Sequence, residues 1–490
     1  MSEYCFASIK EIQKAYNDKK LSVKELVLSF LSRIAEIDKC KDGLNSVLEI
    51  NPDAIAIAES LDLKMQGGGL LNGGKLPPLF GIPVLLKDNI NTADRLHTSA
   101  GSVALAGNYA PYDAHIVKLL RKAGALILGK ANMTEFANYM TRENMPSGYS
   151  SRGGQVINAY NRSITPSGSS SGSAVAVAAG LCTVSIGTET SGSILSPAAY
   201  NGIVGVKPSL GLVSRSGIIP ISSTHDTAGP MARTVEDAAI LLSVIAGQDT
   251  PEVCPADYTD AAVRLSAPID YAGCLDSASL KGLRIGVNRW RNEKDEDNSC
   301  ENRNAFNHLL KLLEQAGAIL VDPLDIEAVP VIGKIMLNEF KACLNYYLTT
   351  LGERTRLKNL KDIIEYNQAN ASAALKYGQS ILINAENNTS GLQTEPEYIN
   401  ALLEREKTIE KLDRLFIDNK IEILLCEYFT NIAPFTGFPA MTIPTGQRED
   451  KLPIGSYWIA RRFNEAGLVR AACAAEKILG IKLSLLLCDQ

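Results

Sequence analysis

The sequence predicts an α/β protein in which helices cover both faces of a sheet, preceded by a helical amino-terminal segment. Three observations carry that expectation. From Pro83 onward, short apolar runs alternate with stretches of helical periodicity. The chain has 490 residues, 46% hydrophobic and 21% charged, which is enough to bury a large core. Its 38 glycines against 11 Phe and 2 Trp supply many tight turns and few stacking platforms.

The first forty residues read as two helices. Ser22 and Glu25 form an S-x-x-E capping box, after which Leu26, Val27, Phe30, Leu31 and Ile34 recur at helical spacing. Lys24, Arg33 and Glu36 mark the opposite face, so this helix lies on a larger body. A third helix, roughly 53 to 65, runs into GGGLLNGGK, expected to be an exposed loop. Buried strands follow at VLL (84–86), ALILG (125–129), TVSIG (183–187) and GIVGV (202–206), with helices at 114–123, 172–181 and 234–246 between them. Residues 251–280 are irregular and read as a connection. LRIGV (283–287) and AILVD (318–322) flank a helix at 302–316; long helices at 333–350 and 395–416 precede a strand at IEILL (421–425). Residues 1–70 are thus expected to pack as helices on an α/β domain spanning 71–490. No internal repeat or heptad run is present.

Composition excludes several functions. The net charge is −5 and no segment gathers positive charge, so nucleic acid and anionic membrane surfaces are not expected partners. The most apolar runs, Ser173–Cys182 and Leu483–Cys488, fall short of the ~20 residues that a membrane span needs. The amino terminus carries no secretory pattern. Ten scattered cysteines without a C-x-x-C pair fit reduced thiols in a cytoplasmic protein rather than disulfides or a zinc site. Cys182 and Cys426 lie within apolar runs and are expected in the core.

The densest chemical feature is Pro166-Ser167-Gly168-Ser169-Ser170-Ser171-Gly172-Ser173, which runs directly into the apolar helix AVAVAAG. A flexible linker would not do so, whereas a Gly-rich loop at a helix start gathers free N–H groups suited to developing negative charge. Three chemistries compete for it. Gly69–Lys75 and Gly124–Lys130 both show G-x-x-x-x-G-K, but Leu76 and Ala131 replace the Ser or Thr of a phosphate loop, so both read as ordinary turns. Gly168–Gly172 matches G-x-S-x-G, yet that machinery needs a late histidine. The four histidines stand at 97, 115, 225 and 308, leaving the last 182 residues without one. The third chemistry activates serine with a lysine whose amine burial has made neutral. Lys87, ending the apolar run of Gly81-Ile82-Pro83-Val84-Leu85-Leu86-Lys87-Asp88-Asn89, is the candidate. Downstream, Gly187-Thr188-Glu189-Thr190-Ser191-Gly192-Ser193-Ile194 offers a second serine on a turn whose successive N–H groups suit an oxyanion.

In this order and spacing, GIPVLLKDN, PSGSSSGSAVAVAAG, GTETSGSI and GIVGVKP resemble the amidase signature family, and SRGGQVINAY, GSSSGSAVAVAA, GLVSRSGIIPIS and HDTAGPMARTVEDAA look closest to its peptide amidase branch. Ser169 and Ser193 stand 24 positions apart, as the family's two catalytic serines do. The resemblance is strong over the motifs of 81–250 and loose over 280–490. It implies a single large mixed β-sheet core. It also implies that Ser193 is the nucleophile, that Ser169 bridges it to Lys87, and that the Gly168–Ser169 peptide is cis. Ser170 is then the serine that hydrogen-bonds the lysine. The N–H groups of Thr190, Ser191, Gly192 and Ser193 form the oxyanion hole, and no metal or cofactor is required.

Two positions depart from the family pattern: Ser191 replaces an aspartate or glycine, and Leu195 an arginine. A short loop before Gly437-Phe438-Pro439-Ala440 suggests a more open pocket. The implied function is hydrolysis of a small-molecule or peptide-like carboxamide by a monomer or homodimer. Two alternatives use the same residues: transfer of the acyl group to an amine, and service as the glutamine-amidase component of a transamidating complex.

Overall fold

The computed structural model of the chain describes residues 2–67, 76–247, 249, 269–289, 299–326, 329 and 331–485. Its centre is one mixed sheet. In chain order the strands are β1 (Val47–Ile50), β2 (Pro83–Lys87), β3 (Leu126–Ala131), β4 (Tyr149–Ser150), β5 (Gly154–Gln155), β6 (Val184–Glu189), β7 (Val204–Lys207), β8 (Thr227–Ala232), β9 (Arg284–Asn288), β10 (Ile319–Val321), β11 (Ile423–Cys426), β12 (Ala440–Gln447) and β13 (Pro453–Ala460). Strands β4 and β5 pair only with each other, while the other eleven run in the order β1-β3-β2-β6-β8-β7-β12-β13-β11-β9-β10.

Parallel pairing of β2 with both β3 and β6 explains their composition. Every residue of β2, β3 and β6 is buried, as strands covered on both faces must be, hence the continuous apolar runs. The pairing also places the carboxyl ends of β2 and β6 side by side, with Leu86 opposite Ile186. In open α/β sheets that edge is where ligands bind. The fully buried helix Ser171–Ala178 leads into β6, and Ser173 and Ser185 tie the two together through hydroxyl-to-carbonyl bonds of 3.3 and 3.0 Å.

The helix Val23–Arg33 begins at the Ser22–Glu25 capping box and buries Val23, Leu26, Val27 and Phe30. Those side chains belong to the same apolar core as β2, β3 and β6. Residues 54–66 form the third helix, but the loop expected after it falls at 68–75, outside the described residues. Most of the connection expected at 251–280 lies outside them too. The first seventy residues contribute a strand as well as helices, because β1 pairs antiparallel with β3 at the sheet edge. Strands β8, β12 and β13 carry little of the expected signature. Thr-Ala-Gly-Pro-Met-Ala holds a glycine and a proline, and Pro444 and Gly446 flank an irregularity in the β12–β13 register. Gly124–Lys130 does not form a simple turn: it opens β3, and Lys130 is a buried strand residue bonded to Ile90 O (2.5 Å) and Thr98 Oγ1 (2.9 Å).

Candidate active site

Lys87 ends β2 with no exposed surface. Its Nζ lies 2.8 Å from Ser169 Oγ and donates to Thr188 O at 3.0 Å. Burial brings its amine down to about 7; the negative charges of Glu189 and Asp226 oppose that shift. A neutral amine beside a serine hydroxyl can act as a base near neutral pH, where an ordinary lysine cannot.

Ser169 is fully buried, its carbonyl accepting the Thr134 N–H at 3.1 Å, and the Gly168–Ser169 peptide is cis. Ser170 begins the helix Ser171–Ala178, and its N–H donates to Ser193 O at 3.2 Å, bringing the two loops together. The Ser170 hydroxyl, expected on the lysine, instead donates to Thr188 O at 3.1 Å and accepts the Thr188 N–H at 3.3 Å. At the helix start it is aimed at the β6 backbone, so Ser170 and Lys87 share the Thr188 carbonyl without touching. Gly187 makes room for it: a Cβ there would stand 2.9 Å from Ser170 Oγ.

The turn from Thr190 to Ser193 closes on Glu189. This buried carboxylate accepts the N–H groups of Ile194 (2.7 Å) and Leu195 (2.9 Å) through Oε2. Burial raises its pKa, while these backbone donors and the Lys207 charge pull it down. Gly192 has φ +84, the left-handed region, and a Cβ there would meet the Phe429 ring at 2.7 Å. The Gly192 N–H, expected among the oxyanion donors, turns instead to the Glu189 carboxylate. Among the described residues no protein acceptor takes the N–H groups of Thr190, Ser191 or Ser193, which leaves them for an oxyanion.

Two distant segments hold this turn from outside. The antiparallel register Glu189↔Thr227 sets Thr190 against Asp226, and the Thr190 hydroxyl donates to Asp226 Oδ1 at 2.6 Å. The Ser191 hydroxyl donates to Asn431 Oδ1 at 2.8 Å. Asn431 and Phe429 belong to the stretch before Gly437, whose shortness suggests an open pocket. Here it packs directly on Ser191 and Gly192. Leu195 is buried, and its N–H supports Glu189. Beside Thr188–Thr190 a cavity of about 360 Å³ opens, walled by Ile218, Ile219, Ile221, Tyr346 and Asp226.

None of the histidines joins Ser169 or Ser193. His97 pairs with Glu49 (2.8 Å), His115 with Asp249 (2.8 Å), and buried His225 bonds Ser222 and stacks on Phe435. The described residues contain no cluster of metal-ligating side chains, and no described helix is long and apolar enough to cross a membrane. Sequence reasoning missed Glu189, Asp226, Phe429 and Asn431. Glu189 stands inside the Gly187–Ile194 motif and Asp226 inside HDTAGPMARTVEDAA, stretches that carry the resemblance without assigning either residue a role. Phe429 and Asn431 act from a distant segment and leave no local signal.

The chain is similar to known proteins along nearly its whole length. A family model described as amidase matches residues 25–469. A probable amidase of Arabidopsis thaliana is 38% identical, over 96% of this chain and 90% of its own. The crystal structure of a native peptide amidase from Stenotrophomonas maltophilia superimposes with a TM-score of 0.89 at 38% identity, covering 98% of this chain and 99% of the other. A glutamyl-tRNA(Gln) amidotransferase component from Alkaliphilus metalliredigens is 32% identical, over 97% of this chain and 96% of its own.

Proposed function

The chain belongs to the amidase family, whose members act on amides, and from that premise we propose that it hydrolyses a carboxamide through an acyl-enzyme on Ser193. The observation that carries this reading is the buried, nearly neutral Lys87 amine 2.8 Å from Ser169 Oγ. Lys87 takes the Ser169 proton as Ser169 takes that of Ser193, and Ser193 Oγ attacks the amide carbon. The oxyanion rests on the free N–H groups of Thr190, Ser191 and Ser193. The relay returns the proton to the leaving nitrogen, the C–N bond breaks, and the acyl group stays on Ser193 as an ester. Water, deprotonated through the same relay, then releases the carboxylic acid.

The reaction needs no cofactor, and one chain holds every group it uses. Likeness to the peptide amidase, together with the apolar walls of the neighbouring cavity, favours a peptide-like amide whose acyl side is apolar. The eight cysteines whose placement is described are free thiols, which supports a cytoplasmic location. Likeness to the amidotransferase component keeps a second reading open, release of ammonia from glutamine within a complex. Assaying wild type and Ser193→Ala on peptide amides, aryl amides and glutamine, with and without an added primary amine, separates these. Free acid from a peptide amide, lost in the variant and indifferent to amine, supports the proposal. New amide products point to acyl transfer, and ammonia from glutamine alone, with a copurifying partner, points to the complex.

A further inference from the structure

The segment 215–223, which forms one wall of the cavity, is held between two carboxylates, half-buried Asp226 and fully buried Glu339. On the side of the reaction centre, Asp226 accepts the N–H groups of Ile221 (2.7 Å) and Ser222 (2.9 Å) on Oδ2 and the Thr190 hydroxyl (2.6 Å) on Oδ1. On the far side, Glu339 accepts the hydroxyls of Ser222 and Thr224, the Thr224 N–H (3.0 Å) and the Tyr398 hydroxyl (2.8 Å). Glu339 sits on the helix Ile332–Thr350, which also presents Ala342, Cys343, Tyr346 and Tyr347 to the same cavity. An unbroken line of hydrogen bonds therefore runs from the outer wall through Ser222 and Asp226 to Thr190. Three residues further on stands Ser193.

We propose that Asp226 is a positioning residue that couples filling of this cavity to the turn carrying the oxyanion donors. A substrate whose acyl side chain fills the cavity then gains in kcat and not only in KM. The inference rests on the reading of Ser193 as nucleophile.

Two physical arguments support the coupling. Asp226 is half-buried, and each hydrogen bond to its carboxylate is charge-assisted and costly to leave unmade. Its two oxygens therefore bind Thr190 and the Ile221–Ser222 backbone into one unit that moves together. An empty cavity leaves Ile218, Ile219 and Ile221 against water, and an apolar group entering it removes that contact and fixes the wall. Small displacements of oxyanion donors change rate strongly, so a wall tied to the donors transmits its order to the chemistry. A wall tied to nothing would affect binding alone.

The test combines two substitutions with two substrates. Thr190→Val removes the hydroxyl that reaches Asp226 and keeps the backbone N–H; Thr190→Ser keeps both. Each variant is assayed on acetamide, too small to fill the cavity, and on N-acetylphenylalaninamide, with kcat and KM measured separately. We expect Thr190→Val to lower the kcat ratio of the large to the small amide by about tenfold, the scale of one charge-assisted bond. Thr190→Ser should hold the ratio within about twofold of wild type, and melting curves confirm that both variants fold. Equal losses on both amides in Thr190→Val, or no change, would overturn the coupling while leaving the hydrolase reading intact. Wild type that turns over neither amide would remove that reading and the coupling with it.

Discussion

The half of the molecule from β2 to β8 and the half that follows it contribute to the same site by different means. In the first, Lys87, Ser169, Glu189 and Ser193 are buried near the ends of β2, β6 and the helix Ser171–Ala178, joined across motifs by bonds such as Lys87–Ser169 and within them by bonds such as Ile194–Glu189. In the second, Tyr346 comes from a long helix, and Phe429 and Asn431 from a connection between β11 and β12. The difference teaches that the reacting groups need a rigid, desolvated frame, which the buried parallel strands provide. The groups that the second half contributes act through shape and through the wall they brace, which loops and helices supply. Substitutions in the first half should therefore act mainly on kcat, and those in the second mainly on KM.

The largest expected effect is that of Ser193→Ala, which should lower turnover by about 10⁴-fold or more with an unchanged circular dichroism spectrum. Residual turnover near the wild-type rate would break the comparison at its root. Lys87→Met should cost on the order of 10³-fold, and adding Ser169→Ala should cost little more, because residues of one relay are not additive. Titration sharpens this. Burial brings the folded Lys87 pKa to about 7 from an unfolded value of 10.5, so neutral base is lost as pH falls through 7. The rate constant kcat/KM should then drop about tenfold per pH unit below that point. Between pH 7 and 10.5 the unfolded chain binds a proton at this lysine that the folded chain does not, so stability contributed here rises with pH. Lys87→Met should flatten that slope and raise the melting temperature at neutral pH, while a slope unchanged from wild type would count against a neutral lysine.

Intermediate effects belong to the seam between the halves. Gly192→Ala forces a side chain onto a φ of +84 and into the Phe429 ring, and should lower kcat by about 10²-fold, the scale of losing one oxyanion donor. The smallest effects belong to the walls. Asn431→Ala removes one neutral hydrogen bond to Ser191 and should cost about fivefold. Tyr346→Ala, which leaves the cavity underfilled, should raise KM severalfold for an apolar acyl substrate and lower its kcat severalfold, far less than Gly192→Ala does. A kcat loss in Tyr346→Ala as large as that of Gly192→Ala would erase the distinction between frame and wall.

The same division governs what the amino-acid sequence discloses. The apolar runs of β2, β3 and β6 are continuous because both faces are covered, and they are legible for that reason. Strand β8 is not, since Gly229 and Pro230 interrupt it and its place is fixed by pairing with β6. Within the site, Lys87, Ser169 and Ser193 declare themselves by lying at the ends of apolar runs or in Gly-rich turns. Ser170 is legible as a site residue but not in its partner, because the turn of the helix start aims its hydroxyl at Thr188. Asp226 lies in a stretch that carries the resemblance, and Asn431 has ordinary neighbours in sequence, but only the β6–β8 register and the return of the chain after β11 bring them to Thr190 and Ser191.

The central claim is that the acyl group of an amide passes through Ser193 under the control of Lys87. Its most direct test is rapid-quench mass spectrometry of the wild type mixed with a peptide amide at about pH 8, where Lys87 is neutral, followed by proteolysis and mapping of the adduct. The account predicts a transient acyl adduct on the peptide that holds Ser193, decaying to free acid, absent from Ser193→Ala and much slower to form in Lys87→Met. An adduct on another residue, or free acid formed by Ser193→Ala at the wild-type rate, would contradict it.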